Sequence, residues 1–225
     1  MIQIYKDLYQ FSAYIPQMDF TLHQYLLAAA PAALFATGTR QQASAILPEI
    51  RELLGGRPLK YVFVSHVESD ECGGLSVILD AWPEVTVLCG ALAARELPGY
   101  GYGGRVVVGS PEAPLRDGEL SLRFISYPSE VHLQDGLTCY EENRGIFYSS
   151  DLMLRFGDGR GKTLQARWED EVKAVSLDRV PDEARLTALG EGLLSVAPRF
   201  VAVGHGFCVE CERSGPSPTA QVDIF

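Results

Sequence analysis

The sequence lacks the features that several large classes of protein require. Lys and Arg number 19 against 29 for Asp and Glu, so the net charge of -10 leaves no surplus of cations for the phosphates of a nucleic acid. The longest apolar stretch, 25–35, is interrupted by Pro31 and is too short to cross a bilayer. No positively charged leader precedes an apolar run at the N-terminus. We therefore expect a cytoplasmic protein without nucleic-acid or membrane partners.

The cysteines also lack the spacing of a disulfide scaffold. There are five of them, an odd number, which fits a reducing compartment better than a disulfide framework. Cys208 and Cys211 form a C-x-x-C pair. This pair is either a redox couple that passes electrons to a metal or two unpaired cysteines in a loop, and we favour the second interpretation.

Short apolar runs alternate with helical patterns along the chain. Runs rich in β-branched or aromatic residues predict strands at 34–37, 61–65, 85–88, 105–108, 120–125, 145–149 and 200–203. Apolar residues at helical spacing predict helices over 43–54, 75–79 and 182–196. The polar stretch 141–145 indicates a hairpin. We predict an α/β fold with helices on sheet faces, formed by a single domain over 1–225 whose tail at 214–225 is loosely ordered.

One predicted strand, 61–65, leads into a segment with four potential metal ligands in six residues: His66, Glu68, Asp70 and Glu71. Alternate residues of an extended segment point the same way, so the first three of these side chains can converge. Carboxylates this close repel one another and raise each other's pKa unless a cation neutralises them. A solvated acidic turn at the start of a helix is the alternative, and the segment alone does not decide between the two.

Three later positions favour a metal site. His132 follows a proline-containing break, Asp151 follows the predicted strand 145–149, and His205 follows the predicted strand 200–203. Gly204 and Gly206 flank His205 and allow the backbone to approach other groups closely. The chain has four histidines, and three of them, His66, His132 and His205, are among these candidate ligands, so the positions together predict a shared site.

These motifs resemble the metallo-β-lactamase superfamily, an αββα four-layer sandwich that carries its metal ligands in loops at one end of two sheets. Hydrolases of that superfamily read H-x-H-x-D-H in the first motif, whereas this chain reads His66-x-Glu68-x-Asp70-Glu71. Glutamate in the second ligand position is similar to the flavodiiron proteins and the oxygen-binding diiron proteins. The surroundings of the later histidines and aspartate are similar too, and the resemblance extends from Thr21 to His205.

The resemblance implies a ligand set that is shared by two metal ions. His66, Glu68 and His132 would bind the first, Asp70 and His205 the second, with Asp151 bridging. Three imidazoles with three or four carboxylates form an oxygen-rich set, which suits iron or manganese better than zinc. We therefore expect two iron ions, with manganese or zinc as alternatives.

Glu71 departs from the family pattern, because it stands where histidine is usual. It is either an additional oxygen ligand of the second metal or a side chain that turns away and leaves a coordination position open. In the second case we expect it to point to solvent and to cap the following helix. His23, in a predicted early strand, also has more than one possible role. It is a hydrogen-bond donor behind the metal ligands, a residue that lines a gas pocket, or an ordinary strand histidine.

A di-iron centre of this kind can bind dioxygen or nitric oxide. Flavodiiron enzymes reduce these gases with a flavin mononucleotide held in a second, flavodoxin-like domain, and this sequence contains no such domain. We expect a protein that binds, senses or reduces dioxygen or nitric oxide and needs a separate electron-donor protein for turnover, with a homodimer as one option. The alternatives are a zinc-dependent hydrolase that uses metal-bound hydroxide and a metal-stabilised binding module without turnover.

Overall fold

The computed structural model describes residues 1–129 and 134–212. In these residues two seven-stranded sheets form the centre of the molecule. The strands of the first sheet are β1 (Ile2–Tyr5), β2 (Leu8–Ile15), β3 (Phe20–Leu27), β4 (Ala32–Phe35), β5 (Leu59–Val64), β6 (Thr86–Cys89) and β7 (Arg105–Val108). Those of the second are β8 (Leu115–Asp117), β9 (Leu120–Ser129), β10 (Gln134–Glu141), β11 (Ile146–Ser150), β12 (Thr163–Ala166), β13 (Phe200–Val203) and β14 (Cys208–Cys211).

Both sheets are mixed. The first runs in chain order, with antiparallel pairs from β1 to β4 and parallel pairs from β4 to β7. The second has the order β12-β14-β13-β11-β10-β9-β8, with β11 parallel to β13. Because neighbouring parallel strands end at the same edge of a sheet, the loops after β11 and β13 emerge side by side.

Helices cover the outer faces of the two sheets. They are α1 (Arg40–Leu54), α2 (Ser69–Cys72), α3 (Leu75–Ala81), α4 (Ala91–Glu96), α5 (Trp168–Ala174) and α6 (Glu183–Leu194). One cluster of buried residues joins α1 and α3 to the first sheet through Ile50, Ile78 and Val62. The layers therefore follow the order helix, sheet, sheet, helix, which confirms the predicted αββα sandwich.

The central core lies between the two sheets. Phe63 of the first sheet stacks on Phe124 of the second with ring centroids 6.3 Å apart, and Tyr148 of the second meets Phe35 of the first at 5.4 Å. Strands β4, β5 and β11 are buried on both faces, since their alternate side chains pack on helices on one side and on the opposite sheet on the other. This double burial explains why these strands read as continuous apolar runs.

The predicted elements are present with small shifts of their ends. The strands at 105–108 and 200–203 coincide with β7 and β13, and the hairpin joins β10 to β11 as an antiparallel pair. The strand predicted at 120–125 continues to Ser129 in β9. The sequence pattern did not predict β1, β2, β8, β12, β14, α4 or α5. None of the helices in the described part of the chain has the length and hydropathy that a bilayer crossing needs.

Helix α1 has a capping box at its start, and this box yields a stability prediction. The Thr39 hydroxyl accepts from the Gln42 N–H, and the Gln42 side chain accepts from the Thr39 N–H at 2.8 Å. Thr39→Ala should lower the free energy of unfolding by about 1 kcal/mol, because the freed N–H loses its partner. Chemical denaturation measures this change. Thr187→Ala, at an exposed position in α6, is the control and should change it by less than about 0.5 kcal/mol. Equal effects of the two substitutions would contradict the prediction.

Candidate metal centre

Loops at one edge of the sandwich bring the predicted ligands together. Ser65 and His66 follow β5, Asp151 follows β11, and Gly204 and His205 follow β13. Backbone hydrogen bonds tie this edge together across the sheets, for example from the His23 N–H of β3 to the Gly204 carbonyl at 3.0 Å. The site therefore depends on the relative placement of both sheets.

The acidic segment folds differently from the extended arrangement that the sequence predicted. Helix α2 begins at Ser69 with Glu68 as its extended N-cap residue, so Asp70 and Glu71 lie in a single helical turn. The expectation that Asp70 continues an extended segment is thus wrong. The tight turn of α2, rather than a strand-like alternation, carries its side chain to the same side as Glu68.

Asp151 lies between two histidines. Its Oδ2 is 3.5 Å from the Nε2 of His66, and its Oδ1 is 2.9 Å from the Nε2 of His205. Glu68 approaches the same His66 nitrogen at 3.5 Å, and Asp70 approaches the same His205 nitrogen at 3.5 Å. Each histidine therefore lies next to one carboxylate of its own, and both histidines lie next to Asp151.

A compact ligand group exists among the described residues. The ligand atoms of His66, Glu68 and Asp151 all lie within 4.8 Å of one another. His132, the further ligand expected for the same metal, lies outside the described residues. The other half of the predicted site consists of Asp70 and His205 on the far side of Asp151.

The ring of His205 is oriented for metal binding through one nitrogen. Its Nδ1 lies 3.0 Å from the Thr21 carbonyl oxygen, which can only accept, so Nδ1 carries the proton. The other nitrogen, Nε2, faces the two carboxylates. The Phe20 ring stacks on the imidazole with centroids 4.3 Å apart. A hydrogen bond to the remote nitrogen is the usual support of a histidine ligand, so this residue fits a metal.

The glycines around His205 permit close packing at this point. At Gly206, φ is +84° and an added Cβ would lie 2.3 Å from the Arg155 carbonyl oxygen. The predicted close backbone approach is confirmed here. A residue with a side chain at 206 would displace the loop that carries the ligand.

The close contacts in the cluster shift the pKa values of its histidines and its carboxylates. Burial lowers the pKa of His66, but the hydrogen bond to Glu68 and the charges of Glu71 and Asp151 outweigh it and raise the pKa to about 9. Burial also lowers the pKa of His205, and the hydrogen bond and charge of Asp151 again raise it. Burial, with the nearby charge of Asp151, raises the pKa of Asp70 and Glu71. Bound divalent cations would relieve this carboxylate repulsion.

Glu71 is turned into the protein and is 3% exposed. Its Oε1 accepts hydrogen bonds from the Tyr148 hydroxyl at 2.9 Å and the Ser150 hydroxyl at 2.7 Å, and its Oε2 accepts from the Ser65 N–H at 3.4 Å. It therefore does not point to solvent. Whether it binds the second metal stays a prediction, but its hydrogen bonds favour the alternative in which it turns away.

The donors to Glu71 were missed by sequence analysis. Tyr148 and Ser150 are two positions apart on β11, directly before Asp151, so both can face the side from which Glu71 approaches. Tyr148 also packs in the core between the sheets. Two hydroxyl side chains at alternate strand positions, followed directly by the predicted ligand Asp151, were the available signal.

His23 is buried and contacts the loop of His205. Its Nε2 lies 2.7 Å from the Gly206 carbonyl oxygen, so this nitrogen donates, and Nδ1 then accepts from the Ser12 hydroxyl at 2.7 Å. Burial lowers the pKa of His23 to about 4. It is a neutral histidine beside the site, and its role as a support for His205 stays a prediction.

The C-x-x-C residues do not form a couple. Cys208 and Cys211 lie three positions apart on β14, and alternate residues of a strand face opposite sides. Cys208 is fully buried with its Sγ 3.2 Å from the Tyr25 hydroxyl, whereas Cys211 is half-buried. Both are free. The interpretation as two unpaired cysteines is confirmed, although they lie in a strand rather than a loop.

A cavity of about 350 Å³ adjoins the cluster on the outer side of α2. Glu68 lies in its wall, together with Cys72, Leu75, Leu79 and Tyr102. The cavity is mostly apolar, and Glu68 is the one predicted ligand among the described residues that line it.

Comparison with known proteins identifies the family to which this chain belongs. A family model described as ODP family beta lactamase matches residues 20–177. Diflavin flavoprotein A 2 from Nostoc is 24% identical over 199 residues, which cover 83% of this chain and 33% of that protein. Its counterpart from Synechocystis is 27% identical over 194 residues, with the same coverage. The chain thus spans about a third of the length of these curated relatives.

Solved structures share the fold at low sequence identity. Rubredoxin oxygen:oxidoreductase from Desulfovibrio gigas superposes with a TM-score of 0.75 at 17% identity, covering 93% of this chain and 57% of that one. The flavodiiron protein from Giardia intestinalis gives 0.74 at 16% identity, with 94% and 56% covered.

The low pKa of His23 yields a prediction for metal-free protein. An unfolded chain protonates this histidine near pH 6.5, whereas the folded protein keeps it neutral down to about pH 4. As the pH falls through this interval the unfolded state binds a proton that the folded state does not, so stability is lost, by roughly 3 kcal/mol in all. His23→Gln removes this contribution. Denaturant unfolding between pH 7.5 and 4.5 should therefore show a steeper loss in the wild type than in the variant, and parallel curves would refute the prediction.

Proposed function

Because this chain belongs to the ODP family beta lactamases, we propose that it is a di-iron protein that binds, senses or reduces dioxygen or nitric oxide. The observation that carries the proposal is the position of Asp151, whose two oxygens face His66 and His205 separately. A bridging carboxylate needs this arrangement. The bound iron would supply electrons and open coordination positions to a diatomic gas.

The ligand assignment follows the two halves of the cluster. His66 and Glu68, with His132, would hold one iron, and Asp70 and His205 would hold the other, with Asp151 between them. The donor set supports iron over zinc, because hard carboxylates form half of it or more. Glu68 in place of a second imidazole also weighs against the zinc hydrolase. The third candidate, a binding module, shares the ligands but has no turnover.

The residues around the metals have separate tasks in this proposal. The Thr21 carbonyl orients the imidazole of His205, and Phe20 covers one face of that ring and excludes water from it. Among the described ligands Glu68 has the most exposed side chain, at 32%, and it lies in the wall of the apolar cavity. We place the entry of the gas there.

Turnover would need electrons from outside the described residues. The relatives named diflavin flavoproteins are about two and a half times as long as this chain, since the same match covers 83% of this chain and 33% of theirs. We propose that a separate protein is the electron donor. The cytoplasmic location, the lack of nucleic-acid and membrane partners, and a homodimer stay predictions.

Metal analysis of protein from iron-supplied cells tests the proposal. We expect about two metal ions per chain, with iron and manganese together exceeding zinc, because the ligand set is oxygen-rich. The reduced, iron-loaded protein should also change its optical spectrum on exposure to oxygen. Full occupancy by zinc together with esterase activity would favour the hydrolase. Two irons without any response to oxygen or nitric oxide would favour the binding module.

Removal of single ligands tests the assignment of the site. Asp151→Ala and His132→Ala should each weaken metal binding by about a hundredfold or more, since loss of a mere supporting residue already costs ten- to a hundredfold. Both should also lower the melting temperature of the loaded protein, because bound metal stabilises the fold. Metal titration and thermal unfolding measure these effects. Asp80→Ala, at an exposed position of α3, is the control. Wild-type metal content in both ligand variants would mean that the assignment is wrong.

A further inference from the structure

The side chain of Glu71 is enclosed by donors that come from a distant strand. Two hydroxyls of β11, those of Tyr148 and Ser150, converge on one carboxylate oxygen at 2.9 and 2.7 Å. The Ser65 N–H approaches the other oxygen at 3.4 Å. Hydrogen bonds to a carboxylate are among the stronger ones in proteins, so both oxygens are engaged by the protein itself.

These donors cannot follow Glu71 if it moves. The Tyr148 ring is fully buried and packs against Phe35 and Phe63, with centroids at 5.4 and 5.7 Å. The backbone of Ser150 has φ at +46°, and its carbonyl accepts from the Gly204 N–H at 3.0 Å. The Tyr148 ring and the Ser150 backbone are therefore held in place, so a movement of the Glu71 Oε1 toward a metal would lengthen or break its hydrogen bonds to their hydroxyls.

The main chain of Glu71 is held as well. Its carbonyl oxygen accepts from the Thr37 N–H at 2.7 Å, and the Thr37 hydroxyl lies 3.2 Å from the same atom. Thr37 is fully buried. The turn that carries Glu71 thus has little freedom to bring the carboxylate outward.

We infer that Tyr148 and Ser150 are positioning residues that hold Glu71 out of the metal shell, so that the second metal keeps a coordination position open for a small external ligand. This inference rests on the proposed function. The charge of Glu71 raises the pKa of His66, which agrees with a carboxylate on the side of the first metal. The second metal would then have Asp70, His205 and the shared Asp151 as its protein ligands.

Azide binding to the iron-loaded protein tests the inference, because azide takes open positions on iron and changes its absorption. The wild type and Glu71→Gln should contain the same number of metals and bind azide with equal affinity within about twofold. In the variant with both Tyr148→Phe and Ser150→Ala, the freed Glu71 competes for the open position, so the Kd for azide should rise about tenfold or more. Adding Glu71→Gln to that variant should restore the wild-type Kd.

The metal-free protein provides a second measurement that does not depend on the metals. Tyr148→Phe removes a hydrogen bond to a buried carboxylate and should lower the melting temperature by about 5 °C, and this loss should shrink in the Glu71→Gln background. Tyr140→Phe is the matched control, since the Tyr140 hydroxyl donates to the Ala197 carbonyl at 3.3 Å and lies away from Glu71.

The outcomes separate this inference from the proposed function. Loss of metal or a tenfold change in azide affinity in Glu71→Gln alone would make Glu71 a ligand and overturn the inference. An unchanged azide Kd in the double hydroxyl variant, with two irons still bound, would overturn it while the di-iron function stands. A wild type without two irons would overturn the proposed function, and the thermal measurement would then decide whether Tyr148 holds Glu71.

Discussion

Repulsion among closely spaced carboxylates is the constraint on which this structure depends. Glu68, Asp70, Glu71 and Asp151 converge at one edge of the sandwich beside two histidines that are themselves nearly buried. Such a cluster is unfavourable without cations, so the surrounding protein has to be rigid. The parallel strands β11 and β13, the hydrogen bond from His23 to Gly204, and the stacked rings between the sheets provide that rigidity.

Histidines of this small region are held in opposite protonation states by their surroundings. His23 is buried with the Gly206 carbonyl and the Ser12 hydroxyl as partners, so nothing compensates a positive charge and its pKa falls. His66 and His205 are almost as buried, but carboxylates within about 3.5 Å reverse the effect of burial. The neighbours of a histidine, and not its depth alone, decide whether it suits a support or a ligand.

Features that depend on neighbouring residues could be predicted from the sequence. Features that depend on contacts between distant segments could not. Strands such as β5, β11 and β13 are buried on both faces and were predicted, and the ligands that follow them could be located because the chain has few histidines. Strand β2 was missed because it mixes buried Gln10 with half-buried residues, which blurs the alternation. The direction of Glu71 was left open, since its partners are 77 and 79 residues away and only the register of the two sheets brings them together.

Ser150 combines an unusual backbone conformation with a hydrogen bond from its hydroxyl, and together these two constraints restrict which amino acid can occupy its position. Its backbone has φ at +46° and ψ at -129°, a conformation that a β-branched side chain adopts at high energetic cost. Its hydroxyl donates to Glu71, and its carbonyl anchors the loop of His205 through Gly204. Threonine has the hydroxyl but the wrong branching, whereas glycine has the backbone freedom but no donor. Serine alone combines a hydroxyl with an unbranched Cβ, so sequences that retain a glutamate at 71 should tolerate little variation at 150.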